Sequence, residues 1–181
     1  MLLGALFNSA TAGFYTLTQR VMGAPMSLVA GALGDVFRQE ASYAYAHHGQ
    51  CKEIYQKTFK RLLLISLVPF SVFFFVAPPI FSLVFGADWR IAGEYAQILM
   101  PMFFLRFITS PLSSMFIIAE RQRLDLIWQI FLLSLVVASF MLGKFLLSAT
   151  DALKFFSAAY SIGYSINGVM TYNFAKNSAQ I

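Results

Sequence analysis

The sequence predicts an all-α fold, a polytopic membrane helix bundle of about five transmembrane helices. Three observations predict it. Hydrophobic residues make up 59% of the 181-residue chain and charged residues 12%, where a soluble domain carries about 25% charged. The 20 phenylalanines are more than one small aqueous core can bury, so lipid must cover much of the apolar surface. The apolar residues also fall into separate stretches, each near the roughly 20 residues that a spanning helix needs. Lysine and arginine gather in alternate segments between these stretches.

The spans are placed at approximately residues 10–35, 62–86, 93–119, 125–147 and 153–175 of a single helical lobe covering residues 1–181. Residues 1–34 carry no charged side chain except Arg20. At about 1.5 Å per residue they exceed one bilayer crossing as a single helix, so a stub or loop over residues 1–9 is expected to precede the first span. The opening "MLLGALFNSATA" lacks the positive segment that a secretory signal needs. The second span is free of charge, and Pro69, Pro78 and Pro79 are expected to kink it or end it early. "GADWRIAGEY", residues 86–95, reads as a loop: Gly86 ends one helix, Asp88 caps the next, and Trp89 and Tyr95 sit at the membrane interface.

Topology follows from the basic residues. Arg38, Lys52, Lys57, Lys60 and Arg61 lie between the first two spans, Arg121 and Arg123 between the third and fourth, and Lys176 in the tail. Those segments belong on the cytoplasmic side, which puts the C-terminus inside and the N-terminus outside. With an odd number of spans and no charge at the start to orient it, the chain looks like the back part of a longer protein. The net charge of +5 then belongs to cytoplasmic loops, and no nucleic-acid partner is expected. Cys51 is the only cysteine, which excludes an intrachain disulfide.

The candidate functional residues come from helix faces. Thr16, Arg20, Ala24, Ser27, Gly31, Asp35 and Arg38 follow at spacings of three and four and form one polar, small-residue face. Gly23, Ser27 and Gly31 also make a pattern that lets a neighbouring helix approach closely. This face is expected to look into a bundle or cavity. An arginine inside a span costs about 2.5–3.5 kcal/mol on insertion scales. Arg20 therefore either binds an anionic group such as a phosphate or snorkels to the outer interface. Arg106 lies deeper, on one face of the third span with Thr109, Ser110 and Ser113, and serves either function or a structural salt bridge. Arg20, Arg106, Ser27, Thr109 and Ser110 are the cavity-lining, substrate-binding candidates. Ser157, Ser161, Ser165, Gly168 and Tyr172 form a face of the last span suited to helix packing. His47 and His48 point about 100° apart on a helix with no further ligand at a suitable spacing, so no metal is expected. No catalytic residue or cofactor is expected either, since the sequence offers no phosphate-binding glycine loop, triad or paired acids.

Three blocks then carry a resemblance. "GFYTLTQRVMGAPMSLVAGALGDVFRQEAS" resembles the eighth helix of the polysaccharide-repeat-unit flippases, in the multidrug/oligosaccharidyl-lipid/polysaccharide exporter superfamily. "LVFGADWRIAGEYAQILMP" is similar to their loop between helices nine and ten, and "SPLSSMFIIAERQRLDLIWQ" to helix ten and the cytoplasmic turn after it. The resemblance implies the C-terminal lobe of a two-lobe, twelve-helix transporter in the bacterial inner membrane. Its partners would be the lipid bilayer, a lipid-linked oligosaccharide and an N-terminal lobe on the same or a separate chain. The implied function is translocation of undecaprenyl-diphosphate-linked repeat units by alternating access, for lipopolysaccharide O-antigen, capsule or exopolysaccharide. The competing readings are half of a related multidrug or ion-coupled exporter, an inactive truncated remnant, a helix-bundle interaction protein, and a membrane-embedded transferase. The last would have only Asp35, Glu40 and the histidine pair as raw material.

Overall fold

A computed structural model describes residues 8–145 and 148–176. Residues 1–7 of the expected N-terminal stub, and residues 146–147 at the end of the fourth expected span, lie outside the described residues. Among those described, all regular structure is helical: α1 (Ser9–His48), α2 (Lys52–Phe85), a 3-10 turn (Ala87–Trp89), α3 (Arg90–Leu112), the short α4 (Met115–Ile118), α5 (Gln122–Phe145) and α6 (Ala149–Lys176). The chain is thus an all-α helical bundle. Three stretches are both long and apolar enough to cross a membrane: Lys52–Phe85, Ala87–Ile118 and Gln122–Met141. Helices α1 and α6 have the length, but the polar faces noted above dilute their hydropathy.

Local chemistry explains where the helices stop. The Asn8 side chain accepts a hydrogen bond of 2.7 Å from the Thr11 N–H at the start of α1. Gly49, at φ 68°, ends it in the left-handed conformation that glycine adopts without a Cβ penalty. Gly86 ends α2 in a different conformation, φ 103° and ψ 162°, whose positive φ also favours glycine. Asp88 does not cap α3: the N-cap position falls on Trp89, which makes no side-chain capping bond, because the 3-10 turn places Asp88 inside the turn. Tyr95 is not an interface anchor either. It is buried, 6.5 Å from the Phe14 ring, while half-buried Trp89 meets Phe14 edge-on at 5.5 Å. Within two helical turns, from Trp89 to Tyr95, the chain passes from a half-buried position into the core. Between α4 and α5, Glu120 takes a left-handed φ of 55° and reverses the chain.

Helix α3 is the centre of the bundle. Half of its apolar window is buried inside protein, against 17% for α2 and for α5, so α3 faces neighbours where the other two face lipid. Helices α1, α2 and α6 pack on it, and α5 packs on α6. One core joins Leu99, Phe103, Phe140 and Phe156 towards one end of α3, and a second joins Phe37, Leu62, Leu112 and Met115 towards the other. Outside, Leu64, Val68 and Phe75 on α2 and Leu126, Ile127 and Leu133 on α5 are exposed, a belt that suits hydrocarbon.

The prolines do not end α2, which runs for 34 residues through Pro69, Pro78 and Pro79. Pro78 has no N–H to give to the Phe74 carbonyl one turn earlier. The Gln97 amide of α3 supplies that bond instead, at 2.6 Å. Beside it, Gly93 lies so close to α2 that an added Cβ would sit 2.5 Å from Pro78 Cα. Further bonds fasten α3 on other sides: Thr18 of α1 donates to the Ala92 carbonyl at 2.7 Å, and Ser157 of α6 to the Ile98 carbonyl at 2.7 Å.

Two outcomes follow. Gly93→Val should destabilise the protein by about 1–3 kcal/mol through overpacking against backbone, and Gln97→Leu by about 1 kcal/mol through the orphaned carbonyl, both read by thermal unfolding in detergent. Cys51, at the junction of α1 and α2, donates towards the Met115 sulfur at 3.5 Å, and burial pushes its thiol up to about 11. The thiol is therefore protonated at neutral pH. Alkylation of the native protein should be slow at pH 7.5 and rise by about tenfold per pH unit towards that value, whereas the denatured protein should react at once.

Candidate functional site

A groove of about 310 Å³ runs between α1 and α3. On the α1 side Gly23, Ser27, Gly31 and Gly34 recur every three or four residues, with Met26, Ala30, Asp35 and Arg38 beside them. Opposite stand Arg106 and Ser110 of α3 and Ser114 just beyond its end, at intervals of four. Gly34 closes one part of the groove, where its absent Cβ would meet the Pro111 Cβ at 3.3 Å. The close approach of the two helices is made by Gly34. Gly23 and Gly31 have nothing within 4 Å of a built Cβ, and so they leave open space in place of the expected helix contact.

The charges in the groove are unequal. Asp35 and Arg38 both line it and pair with each other at 3.1 Å, which leaves Arg106 as the net charge. The ion pairs among the described residues are Asp35–Arg38, Arg90–Glu94 and Asp151–Lys154; Arg106 joins none of them, so the structural salt bridge is not formed there. An aromatic series joins α1 to α6: Tyr15 meets Phe156 at 6.3 Å, Phe156 meets Tyr160 at 4.8 Å, and Tyr160 meets Tyr164 at 5.6 Å.

Of the five candidate residues, the fold brings Arg106, Ser27 and Ser110 together on this groove. Arg20 is exposed on the same face of α1, three residues before Gly23, but is not among the lining residues. Thr109 turns the other way. It is buried at 3% exposure, donates to the Leu105 carbonyl at 2.9 Å, and lies against Gly168 of α6. Ser110, the next residue, stands on the groove, so the two neighbouring hydroxyls face different sides of α3. Ser113 likewise leaves the groove and donates to the Asn167 side chain at 3.0 Å. Gly34 was missed as a site residue, because the sequence does not say which glycine a neighbouring helix will meet.

Residues 1–94 match the family described as polysaccharide biosynthesis protein, and the chain belongs to that family. The matched region holds α1, α2 and the first turn of α3, and so includes Arg20 and Ser27 but not Arg106 or Ser110. None of the curated proteins and none of the solved structures matched the chain. Membership of the family and the three apolar helices together make this a membrane protein of polysaccharide biosynthesis.

The geometry separates two adjacent positions. With Cys51 replaced by alanine, Ser110→Cys and Ser27→Cys should react with a water-soluble thiosulfonate reagent at least tenfold faster than Thr109→Cys. Equal rates would place Thr109 on the groove.

Proposed function

We propose that this chain forms one lobe of a flippase that moves an undecaprenyl-diphosphate-linked oligosaccharide from the inner to the outer leaflet of the bacterial inner membrane, for a cell-surface polysaccharide such as lipopolysaccharide O-antigen, capsule or exopolysaccharide. The observation that carries the proposal is Arg106, an arginine inside an apolar span that opens into a groove and has no carboxylate partner among the described residues. An unpaired guanidinium at that depth is costly, and a planar, permanently charged fork is well matched to diphosphate oxygens. Glycans and diphosphates cannot cross hydrocarbon unaided, so a polar groove must shield them.

In this reading α1 and α6 also cross the membrane, giving five spans with the C-terminus in the cytoplasm. The polar α1 face, with Arg20 on it, meets an N-terminal lobe, and rocking of the two lobes exposes the groove to each side in turn. No nucleic acid, cofactor or catalytic step is involved. The groove's own acid, Asp35, is already paired with Arg38, which favours an anionic cargo over a drug cation.

The test replaces Arg106 in the chromosomal gene. Arg106→Gln should lower surface polysaccharide at least tenfold, with unchanged protein level in the membrane and accumulation of the lipid-linked repeat unit. Arg106→Lys should retain part of the export. Wild-type export by Arg106→Gln would overturn the assignment.

A further inference from the structure

A second groove lies on the opposite side of α3. Helices α2 and α6 are clamped together at one end: the Cys51 N–H donates to the Ala175 carbonyl at 3.0 Å, the Tyr55 hydroxyl donates to the Gly168 carbonyl at 3.0 Å and lies 2.9 Å from the Thr171 hydroxyl, and the Gln56 amide donates to the Tyr172 hydroxyl at 3.2 Å. Next to the clamp is a cavity of about 660 Å³, within the range of roughly 300–1,000 Å³ typical of small-molecule sites. Phe104 and Ile108 of α3 form its floor, and Leu63 of α2 and Val169 of α6 stand on its walls. Its other polar side chains are already engaged: Thr109 bonds the Leu105 carbonyl, Ser165 bonds the Ser161 carbonyl, and Tyr55, Gln56 and Tyr172 belong to the clamp. What remains to offer a ligand is hydrocarbon and, near the clamp, the ammonium of Lys60.

Lys60 stands at the boundary between a basic segment and an uncharged one. Lys52, Lys57, Lys60 and Arg61 precede the run 62–87, which carries no charge. The ammonium is thus placed at the membrane surface while the groove beside it descends along an apolar helix. Lys60 belongs to none of the ion pairs among the described residues. An apolar slot with one free cation at its interfacial end is complementary to an amphiphile with an anionic head and a hydrocarbon tail.

We infer that this groove is a binding site for an anionic phospholipid of the leaflet that meets the basic ends of α2 and α6, with one acyl chain between the two helices and the phosphate at Lys60. The site is separate from the Arg106 groove, since the adjacent residues Thr109 and Ser110 face one each. The bound lipid fills the gap where the helices part beyond the clamp, and so supports the packing of α2 and α6 on α3.

The test uses the protein purified from its own membranes and placed in phosphatidylcholine nanodiscs with a minor fraction of photo-crosslinkable phosphatidylglycerol. The crosslink should map to Phe59, Leu63 or Val169. Lys60→Gln should reduce it at least fivefold, and Lys60→Arg should retain it. Val169→Trp, at a position 61% exposed and so tolerant of size, should block the groove to both phosphatidylglycerol and a photo-crosslinkable phosphatidylcholine. Arg106→Gln should leave the phosphatidylglycerol signal unchanged, so that failure of the flippase reading and failure of the lipid site are distinguishable. Equal crosslinking of the two lipids with no response to Lys60→Gln would mean a non-selective annular lipid and overturn the inference. Displacement of phosphatidylglycerol by a polyprenyl phosphate would overturn it too, by making the groove a site for the prenyl tail.

Discussion

In hydrocarbon, a backbone carbonyl that loses its partner has no water to turn to. Proline at position 78 creates such a carbonyl at Phe74, and the Gln97 amide answers it from a different helix. That bond requires α2 and α3 to lie nearly backbone to backbone, which only a residue without a side chain at position 93 allows. Helices α1 and α6 are fastened to the same α3 by similar chemistry, a side-chain hydroxyl reaching a main-chain oxygen at Ala92 and Ile98. Helix α3 is therefore placed by polar bonds to its backbone as well as by apolar contact. In a membrane, where apolar contact between helices has no aqueous alternative to beat, that matters.

With α3 held in this way, its two sides take on different work. Arg106 and Ser110, with Ser114 just beyond the helix end, repeat every four residues and look onto α1, while Thr109 and Ile108 look towards α2 and α6. Two grooves of different character result, with no lining residue in common. The first is small and carries a net positive charge. The second is larger and apolar, with its single charge at the membrane surface.

The polar face of α1 is left exposed among the described residues. Thr16, Arg20, Ala24, Ser27, Gly31, Asp35 and Arg38 are all exposed, although the sequence groups them as a face expected to look into a bundle or cavity. Ser27, Gly31, Asp35 and Arg38 do line the α1–α3 groove, and the other three continue outward from it.

By itself the sequence determined the fold class, the uncharged spanning stretches, the chain reversal at Gly86 and the presence of an arginine inside a span, because each is a property of local composition and of residues close in the chain. It also marked Arg106, Ser27 and Ser110, since a charge or hydroxyl among apolar residues is visible without coordinates. Which hydroxyls turn inward could not be read in the same way. Thr109 and Ser110 are equally polar, and only the packing of Gly168 of α6 against Thr109 decides that Thr109 is packing and Ser110 is groove. The continuity of α2 through three prolines was hidden for a related reason: the donor that rescues its carbonyl is Gln97, 23 residues away in sequence. Tertiary structure decided those points because a membrane helix must satisfy its polar groups inside the protein, and a sequence does not say which distant side chain will do so.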